Sequence, residues 1–190
     1  MRSQSLSPVV FDFADSLTSA LLAFKESAPI LLTKPNELPS AVKRELNRLK
    51  PEQIIIIGGI NAVSQQIEND LHTYANPLTR IAGNDRYETA IEIADRLNIN
   101  QQMILVSGER FADALAISPY AAKNQIPILL TKKEKMPDVT KTVAKNYNKT
   151  TIIGGEQVIH NSQLVNVNNP IRVSGKDRIE TSVQIAETFF

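Results

Sequence analysis

The 190-residue sequence contains no cysteine and only two histidines. Without thiols the chain cannot form a disulfide, use a cysteine nucleophile or bind zinc through cysteine. His72 and His160 stand alone in the sequence, so we expect neither a metal site nor a catalytic role for them. We therefore expect no cofactor and no metal centre.

Net charge and long apolar runs are also nearly absent. The 21 basic and 20 acidic side chains give a net charge of +1, which argues against nonspecific binding to nucleic acid or to an acidic membrane. No apolar run reaches the roughly 20 residues of a membrane span. The opening residues, MRSQSLSPVVFDF, lack the apolar core and cleavage site of a secretion signal. We expect no nucleic-acid partner and no membrane span.

Catalytic motifs are missing as well. The sequence has no Gly-x-Gly-x-x-Gly pattern, no Gly-Lys-Ser/Thr phosphate loop and no Gly-x-Ser-x-Gly elbow. No histidine is paired with a nucleophile, and no acids cluster with the spacing of metal ligands. We expect a chain that is not an enzyme, with a surface used several times instead of one reaction centre.

An internal repeat dominates what is present. RIAGNDRYETAIEIA, residues 80–94, returns as RVSGKDRIETSVQIA, residues 172–186. FADSLTSALLAFKESAPILLTK, residues 13–34, returns at residues 111–132 with about half of its positions unchanged. The period is roughly ninety residues, which suits a small α/β unit used twice.

Apolar periodicity predicts alternating strands and helices. The run Ile54–Ile57 is apolar on both faces, which is typical of a parallel strand covered by helices on each side, and residues 61–74 read as a helix. We predict an α/β fold of about two repeated units, each an open, mainly parallel, Rossmann-like sheet with helices on both faces. The predicted units are residues 1–79, which lack the first strand and helix, a complete unit at 80–171, and the first strand and helix of a further unit at 172–190.

The repeated corners, where a strand meets a helix, are the first candidate functional feature. In the first corner Gly83 permits the turn, Asp85 caps the helix and Glu88 completes a capping-box pattern, and the second corner matches it. Arg86 and Arg178 follow the caps, where an arginine can form a salt bridge between repeats or bind a ligand. Both readings stay open at this point.

Other candidates follow strand ends. Paired glycines can receive an anion on bare backbone N–H groups, or serve only as a tight strand exit. Two lysines follow the repeated PILLT strand, at the edge where open α/β sheets bind ligands, and Asp15 and Asp113 begin the preceding helices. The candidate ligand-binding residues are Arg86, Arg178, Lys34, Lys132, Asp85, Asp177, Thr89, Thr181, Gly58, Gly59, Gly154 and Gly155.

The segments RIAGNDRYETA, FADALAISPYAAKNQIPILLT and IIIIGGINAVS resemble the cell-wall-binding repeat of the second type, found on Gram-positive surface proteins and wall-lytic amidases. The resemblance covers nearly the whole chain past Val10. It implies a Toprim-like α/β unit that holds proteins noncovalently to an anionic cell-wall polymer, outside the cell, with any catalysis in a different domain. The family commonly packs three copies about a pseudo-threefold axis, which implies neighbouring repeats, or self-association into a homo-oligomer.

The two copies differ at one corner. The second copy has MILVSGERFAD where the first has SLSPVVFDFAD, so Gly108 has no counterpart and ligand contacts there are expected only in the second copy. Two other functions stay open from the residues alone. One is an intracellular α/β protein that binds phosphate or another small ligand, and the other is a purely structural self-assembly domain.

Overall fold

The first half of the chain forms one four-stranded parallel sheet. A computed structural model describes residues 9–11, 16–97 and 101–190. The strands are β1 (Val9–Phe11), β2 (Ile30–Leu32), β3 (Ile54–Ile57) and β4 (Leu78–Ile81), in the order β2-β1-β3-β4. The helices are α1 (Ser16–Lys25), α2 (Ser40–Leu49), α3 (Gln65–Leu71) and α4 (Arg86–Ala94).

The second half repeats this arrangement. Its parallel strands are β5 (Gln102–Ser107), β6 (Ile128–Thr131), β7 (Lys149–Ile153) and β8 (Pro170–Val173), in the order β6-β5-β7-β8. Its helices are α5 (Phe111–Asn124), α6 (Asp138–Ala144) and α7 (Arg178–Phe189), with a 3₁₀ helix at Asn161–Asn166 in the place of α3.

Strand β3 explains why helices cover both faces of a sheet. All four of its isoleucines are buried, and successive side chains of a strand point to opposite faces. Ile54 and Ile56 pack with side chains of α2 and α3, whereas Ile55 and Ile57 pack with side chains of α1 and α4. The predicted α/β fold with parallel sheets and helices on both faces is confirmed.

The two halves share a core. Helix α1 packs against α5, and α4 packs against β6 and α6. Leu21, Tyr87 and Ala90 of the first half therefore belong to the same buried cluster as Val106 and Leu130 of the second sheet. Helix α4 is thus both the last helix of the first half and part of the cover of the second sheet.

The sheets group the elements differently from the predicted units. Strand β4 pairs with β3, with Ile57 opposite Ile81, and β8 pairs with β7. The corner at residues 80–94 therefore closes the first sheet, and the corner at 172–186 closes the second. A repeat has the same period wherever its start is placed, so the sequence alone does not fix which corner belongs to which sheet.

One predicted helix is shorter than expected. Residues 61–74 give a helix only at Gln65–Leu71, because the chain first makes a turn after Gly59. Ser64 then caps the helix by accepting a hydrogen bond from the backbone N–H of Ile67 at 3.4 Å. The apolar residues of the turn continue the helical spacing of α3, so the spacing alone does not show that the helix begins at Gln65.

Candidate functional site

The two repeated corners are capped in the same way. Asp85 Oδ1 accepts hydrogen bonds from the backbone N–H groups of Tyr87 and Glu88, at 2.9 and 3.0 Å. Asp177 Oδ1 accepts from the corresponding groups of the second corner at 2.8 and 2.9 Å. The aspartates satisfy helix N–H groups that would otherwise lack partners, as expected from their position.

A second set of bonds holds the turn before each cap. Thr89 Oγ1 accepts from the N–H of Gly83 at 3.1 Å, and Glu88 Oε2 accepts from the N–H of Asn84 at 2.8 Å. The glutamate thus accepts from the N–H of the residue before the cap, whereas in a capping box it accepts from the N–H of the cap residue itself. A Cβ at Gly83 would lie 2.1 Å from the Cβ of Glu88, so the glycine is needed for close approach. Gly175, Lys176, Glu180 and Thr181 repeat the arrangement.

The glycine pairs lie where β3 and β7 end. Gly58 has a φ of 107° and Gly154 a φ of 113°, a backbone conformation that favours glycine. An arginine from the neighbouring strand fixes each corner: Arg80 Nη1 donates to Gly58 O at 2.6 Å, and Arg172 Nη1 donates to Gly154 O at 2.5 Å. Sequence reasoning missed these two arginines, although both are the first residue of the repeated segment.

The two corner arginines each have a second backbone partner and differ in their side-chain partners. Arg80 Nη2 donates to Val63 O at 2.9 Å, and Arg172 Nη2 donates to Ile159 O at the same distance. Arg80 also forms an ion pair with Glu68 at 2.9 Å, whereas Arg172 donates to Asn161 Oδ1 at 3.0 Å. Burial lowers the pKa of Arg172, and the charge of Glu156 opposes that shift. Both arginines are held by the protein and serve the corner as structural groups.

Three of the four predicted ligand-contacting cations have partners within the protein. Arg86 Nη1 donates to Gly108 O at 2.7 Å, across the junction of the halves. Lys132 Nζ lies 5.6 Å from the centre of the Tyr87 ring, within the range of a cation–π contact. Lys34 forms an exposed ion pair with Glu37 at 2.6 Å. Among the residues described, only Arg178 of the four has no such partner for its side chain.

A cavity of about 830 Å³ opens at the carboxyl edge of the second sheet. Residues 109–113 at the start of α5, residues 155–158 after β7, and residues 174–178 with Thr181 at the start of α7 line it. It therefore brings together four of the predicted candidates, Gly155, Asp177, Arg178 and Thr181. Lys132, Gly154 and all six candidates of the first half lie outside its lining.

Asp113 is a buried carboxyl group of this cavity. Only 6% of its surface is exposed, and it accepts no hydrogen bond from any described residue. Burial raises the pKa of Asp113, and the charge of Arg110 opposes that shift. A Cβ at Gly154 would come within 2.8 Å of Asp113 Oδ2, so the carboxylate lies against the bare glycine. Sequence reasoning noted Asp113 by position only, and its counterpart Asp15 lies outside the described residues.

Charges of both signs surround the cavity. Arg110, Lys176 and Arg178 contribute cations, while Glu109 and Glu156 contribute acids. Within the described ranges, no group of three histidine or acidic side chains could hold a metal ion. In the same residues, no helix combines the length and apolar character that crossing a membrane requires.

Comparison with protein families and solved structures gives a consistent result. The family model for cell wall binding domain 2 (CWB2) matches residues 2–68 and 80–164. In solved structures, Cwp6 from Clostridium difficile superposes with a TM-score of 0.88 at 33% identity, over 97% of this chain and 32% of that one. The second matched range begins at the repeated corner.

Two curated relatives come from Bacillus subtilis (strain 168). The N-acetylmuramoyl-L-alanine amidase LytC is 34% identical over 177 residues, which are 92% of this chain and 36% of the amidase. The amidase enhancer is 36% identical over 176 residues, which are 91% of this chain and 24% of the enhancer. The chain thus spans about a third or less of the length of these relatives.

Proposed function

Since this chain belongs to the cell wall binding domain 2 family, we propose that it anchors a surface protein noncovalently to an anionic polysaccharide or teichoic-acid-like polymer of the wall. The chain is a cell-wall-binding module. The proposed place of action is the outside of a Gram-positive cell. No catalytic role is assigned to it.

Two cations of the second corner support the proposal that the ligand is anionic. Lys176 and Arg178 are both exposed at the carboxyl edge of the second sheet, beside the cavity. Arg178 has no side-chain partner among the described residues, so its guanidinium is available to a carboxylate or phosphate group. A polymer with a repeating anion can contact several such points on one body and gain avidity without one tight pocket.

The other predicted residues fit the proposal in secondary roles. Lys34, Lys132 and Arg86 keep part of their surface exposed and can add contacts to the polymer. The caps and glycine pairs shape the corners on which those cations stand. The residues with this shaping role are Asp85, Asp177, Thr89, Thr181, Gly58, Gly59, Gly154 and Gly155.

A noncatalytic role is supported by the length of the relatives. The matched region is a small part of both the amidase and its enhancer. Two proteins that differ in activity therefore share this module, which supports placing any wall-cleaving activity elsewhere in such proteins. The intracellular phosphate-binding alternative is not favoured by the family match.

Sedimentation with purified Bacillus subtilis walls tests the anchoring function. We expect the chain to sediment with intact walls and to stay in the supernatant once the attached glycopolymers have been stripped. Arg178→Ala should weaken sedimentation about tenfold. Arg44→Ala, which removes an exposed arginine of α2, is the matched control and should sediment like the wild type. Equal sedimentation with intact and stripped walls would contradict binding to the polymer.

We also propose that α7 mediates contact with a second copy of this chain. Ile179 is 70% exposed, whereas its counterpart Tyr87 on α4 is 6% exposed because α4 packs on β6. The counterpart of β6 in the first half is β2, and its Leu32 is 55% exposed while Leu130 of β6 is buried. Within the chain, α4 of the first half packs on β6 of the second half. Their counterparts α7 and β2 expose the corresponding surfaces, so α7 of one copy can pack on β2 of another in the same way.

Light scattering over a range of concentrations tests this contact. We expect the mean mass to rise with concentration, because a helix of one copy docks on the strand edge of another. Ile179→Glu should keep the chain monomeric, since it places a charge in that contact. Val165→Glu, at a valine that is 86% exposed elsewhere, should associate like the wild type. A wild-type chain that stays monomeric at every concentration would contradict the proposal.

A further inference from the structure

Asp113 is the one carboxyl group in the cavity at the second sheet whose burial the fold leaves unexplained. Asp177, in the same cavity, has a structural role, because it accepts two backbone hydrogen bonds at the start of α7. Asp113 lies in the first turn of α5 and accepts none, so it is not a helix cap. Its oxygens are not among the fully enclosed polar atoms that lack a partner, so they reach solvent through the cavity that Asp113 lines. A carboxyl group with so little exposure and no donor among the described residues is unfavourable unless water or a ligand in the cavity donates a hydrogen bond to it.

The carboxyl group of Asp113 lies against a glycine on one side and lines the cavity on the other. Gly154 offers no side chain, and a Cβ there would collide with the carboxylate. Gly155, the next residue, lies on the cavity wall, where the nearest atom to an added Cβ is Gly175 O at 4.0 Å. The cavity volume of about 830 Å³ falls in the range of pockets that hold small ligands, about 300–1,000 Å³.

The polar groups of the cavity differ in what they can receive. Asp113 can accept hydrogen bonds from hydroxyl groups, and it would repel an anion placed directly against it. Lys176 and Arg178 lie at the start of α7 on another wall and attract an anion. A ligand that satisfies both walls carries hydroxyl groups on one side and a negative charge on the other.

We propose that this cavity is a subsite for a single sugar unit of the wall polymer that bears an anionic substituent. Asp113 accepts hydrogen bonds from the sugar hydroxyl groups, while Arg178 and Lys176 contact the anion. The inference depends on the proposed wall-binding function and adds to it the position and the chemistry of one binding site. The anion is a carboxylate or a phosphate, which share the same recognition by these cations.

Calorimetric titration with defined sugars tests the subsite. The probes are a galacturonic acid trimer for the carboxylate, N-acetylglucosamine 1-phosphate for the phosphate, and a neutral N-acetylglucosamine trimer. We expect the protein to bind one of the anionic probes, which identifies the substituent, and to bind it at least about tenfold more tightly than the neutral sugar. Failure of both anionic probes to bind would overturn the proposal.

Two variants locate the binding in the cavity. Asp113→Asn should weaken binding of the anionic probe about tenfold, since it replaces the charged acceptor in a group of nearly the same shape. Gly155→Leu should also weaken binding, because its side chain would occupy part of the cavity on the wall that Gly155 forms. Asp138→Asn, an exposed acid in the first turn of α6, is the control and should bind like the wild type. Unchanged binding by both cavity variants, each shown to be folded by a cooperative unfolding curve, would overturn the proposal.

Wall sedimentation of the same proteins separates this inference from the general function. If the wild type sediments with walls and the cavity variants sediment equally well, the polymer binds elsewhere and the subsite is wrong while anchoring stands. If the wild type does not sediment but binds a probe through Asp113, the cavity binds an anionic sugar, while the anchoring function and the assignment of that sugar to the wall polymer are both wrong.

Discussion

The first corner, residues 80–94, and the second, residues 172–186, have the same caps in different surroundings. Their capping hydrogen bonds agree in atoms and in length. Tyr87 of the first corner is buried against the second half, whereas Ile179 of the second is 70% exposed. The corner therefore takes its shape from nearby residues, whereas its burial depends on whether a neighbouring unit packs against it.

The largest expected difference between the corners is at this aromatic position. Tyr87→Ala should lower the free energy of unfolding by about 3–5 kcal/mol, because it removes a buried ring from the shared core. Ile179→Ala should change it by less than about 0.5 kcal/mol, since that side chain is exposed. Urea denaturation of dilute protein measures both. Equal losses would show that the corners are covered alike.

Glycine substitutions sharpen the same comparison. A Cβ at Gly108 would lie 2.8 Å from Cε1 of Tyr87, so Gly108→Ala should destabilise the chain by about 1–3 kcal/mol through overpacking. Gly155→Ala meets no atom closer than 4.0 Å and should leave stability within about 0.5 kcal/mol. Thermal unfolding measures the pair. A neutral Gly108→Ala would mean that Tyr87 does not pack tightly at the junction.

The paired arginines should separate stability from binding. Arg86→Ala should cost about 1 kcal/mol, because it removes the hydrogen bond to Gly108 O across the junction. Arg178→Ala should leave stability unchanged and weaken wall binding. Denaturation and wall sedimentation on the same samples give both readings. The reverse pattern, with Arg178 stabilising and Arg86 binding, would contradict the roles assigned to the corners.

The smallest expected effect is the pH dependence of Asp113. Burial raises the pKa of Asp113 in the folded state, so its protonated form favours folding at low pH, and that contribution is lost as the pH rises through the raised pKa. Asp113→Asn should therefore be slightly more stable than the wild type at pH 7, by less than about 1 kcal/mol, because the carboxyl group reaches solvent through the cavity. The gain should disappear below about pH 4, where unfolded aspartate is also protonated. A gain that does not change with pH would contradict the raised pKa of Asp113.

Much of the fold could be predicted from local patterns. The isoleucines of β3 indicated a strand covered on both faces, and the spacing of Asp85 and Asp177 before apolar runs indicated helix starts. These features depend on residues close together in the sequence. The segment SLSPVVFDFAD contains strand β1, whose described residues are Val9–Phe11. The corresponding strand of the second copy, β5, has six residues.

The roles of the site residues depend on contacts between distant residues. Arg86 reaches Gly108, 22 positions away, and nothing near either residue predicts the pairing. Gly108 was expected to shape a ligand corner, and its bare face instead receives the Tyr87 ring. Asp113 resembled an ordinary acid at a helix start, because its burial depends on β7 and α7 closing around it.

Amide NMR spectra of the labelled protein, recorded while solubilised wall glycopolymer is added, test most directly where the polymer binds. The account predicts that the amide signals of Gly155, Gly175 and Lys176 shift most, and that Asp113→Asn reduces those shifts. An absence of shifts, or shifts confined to the outer face of α2, would contradict binding at the carboxyl edge of the second sheet.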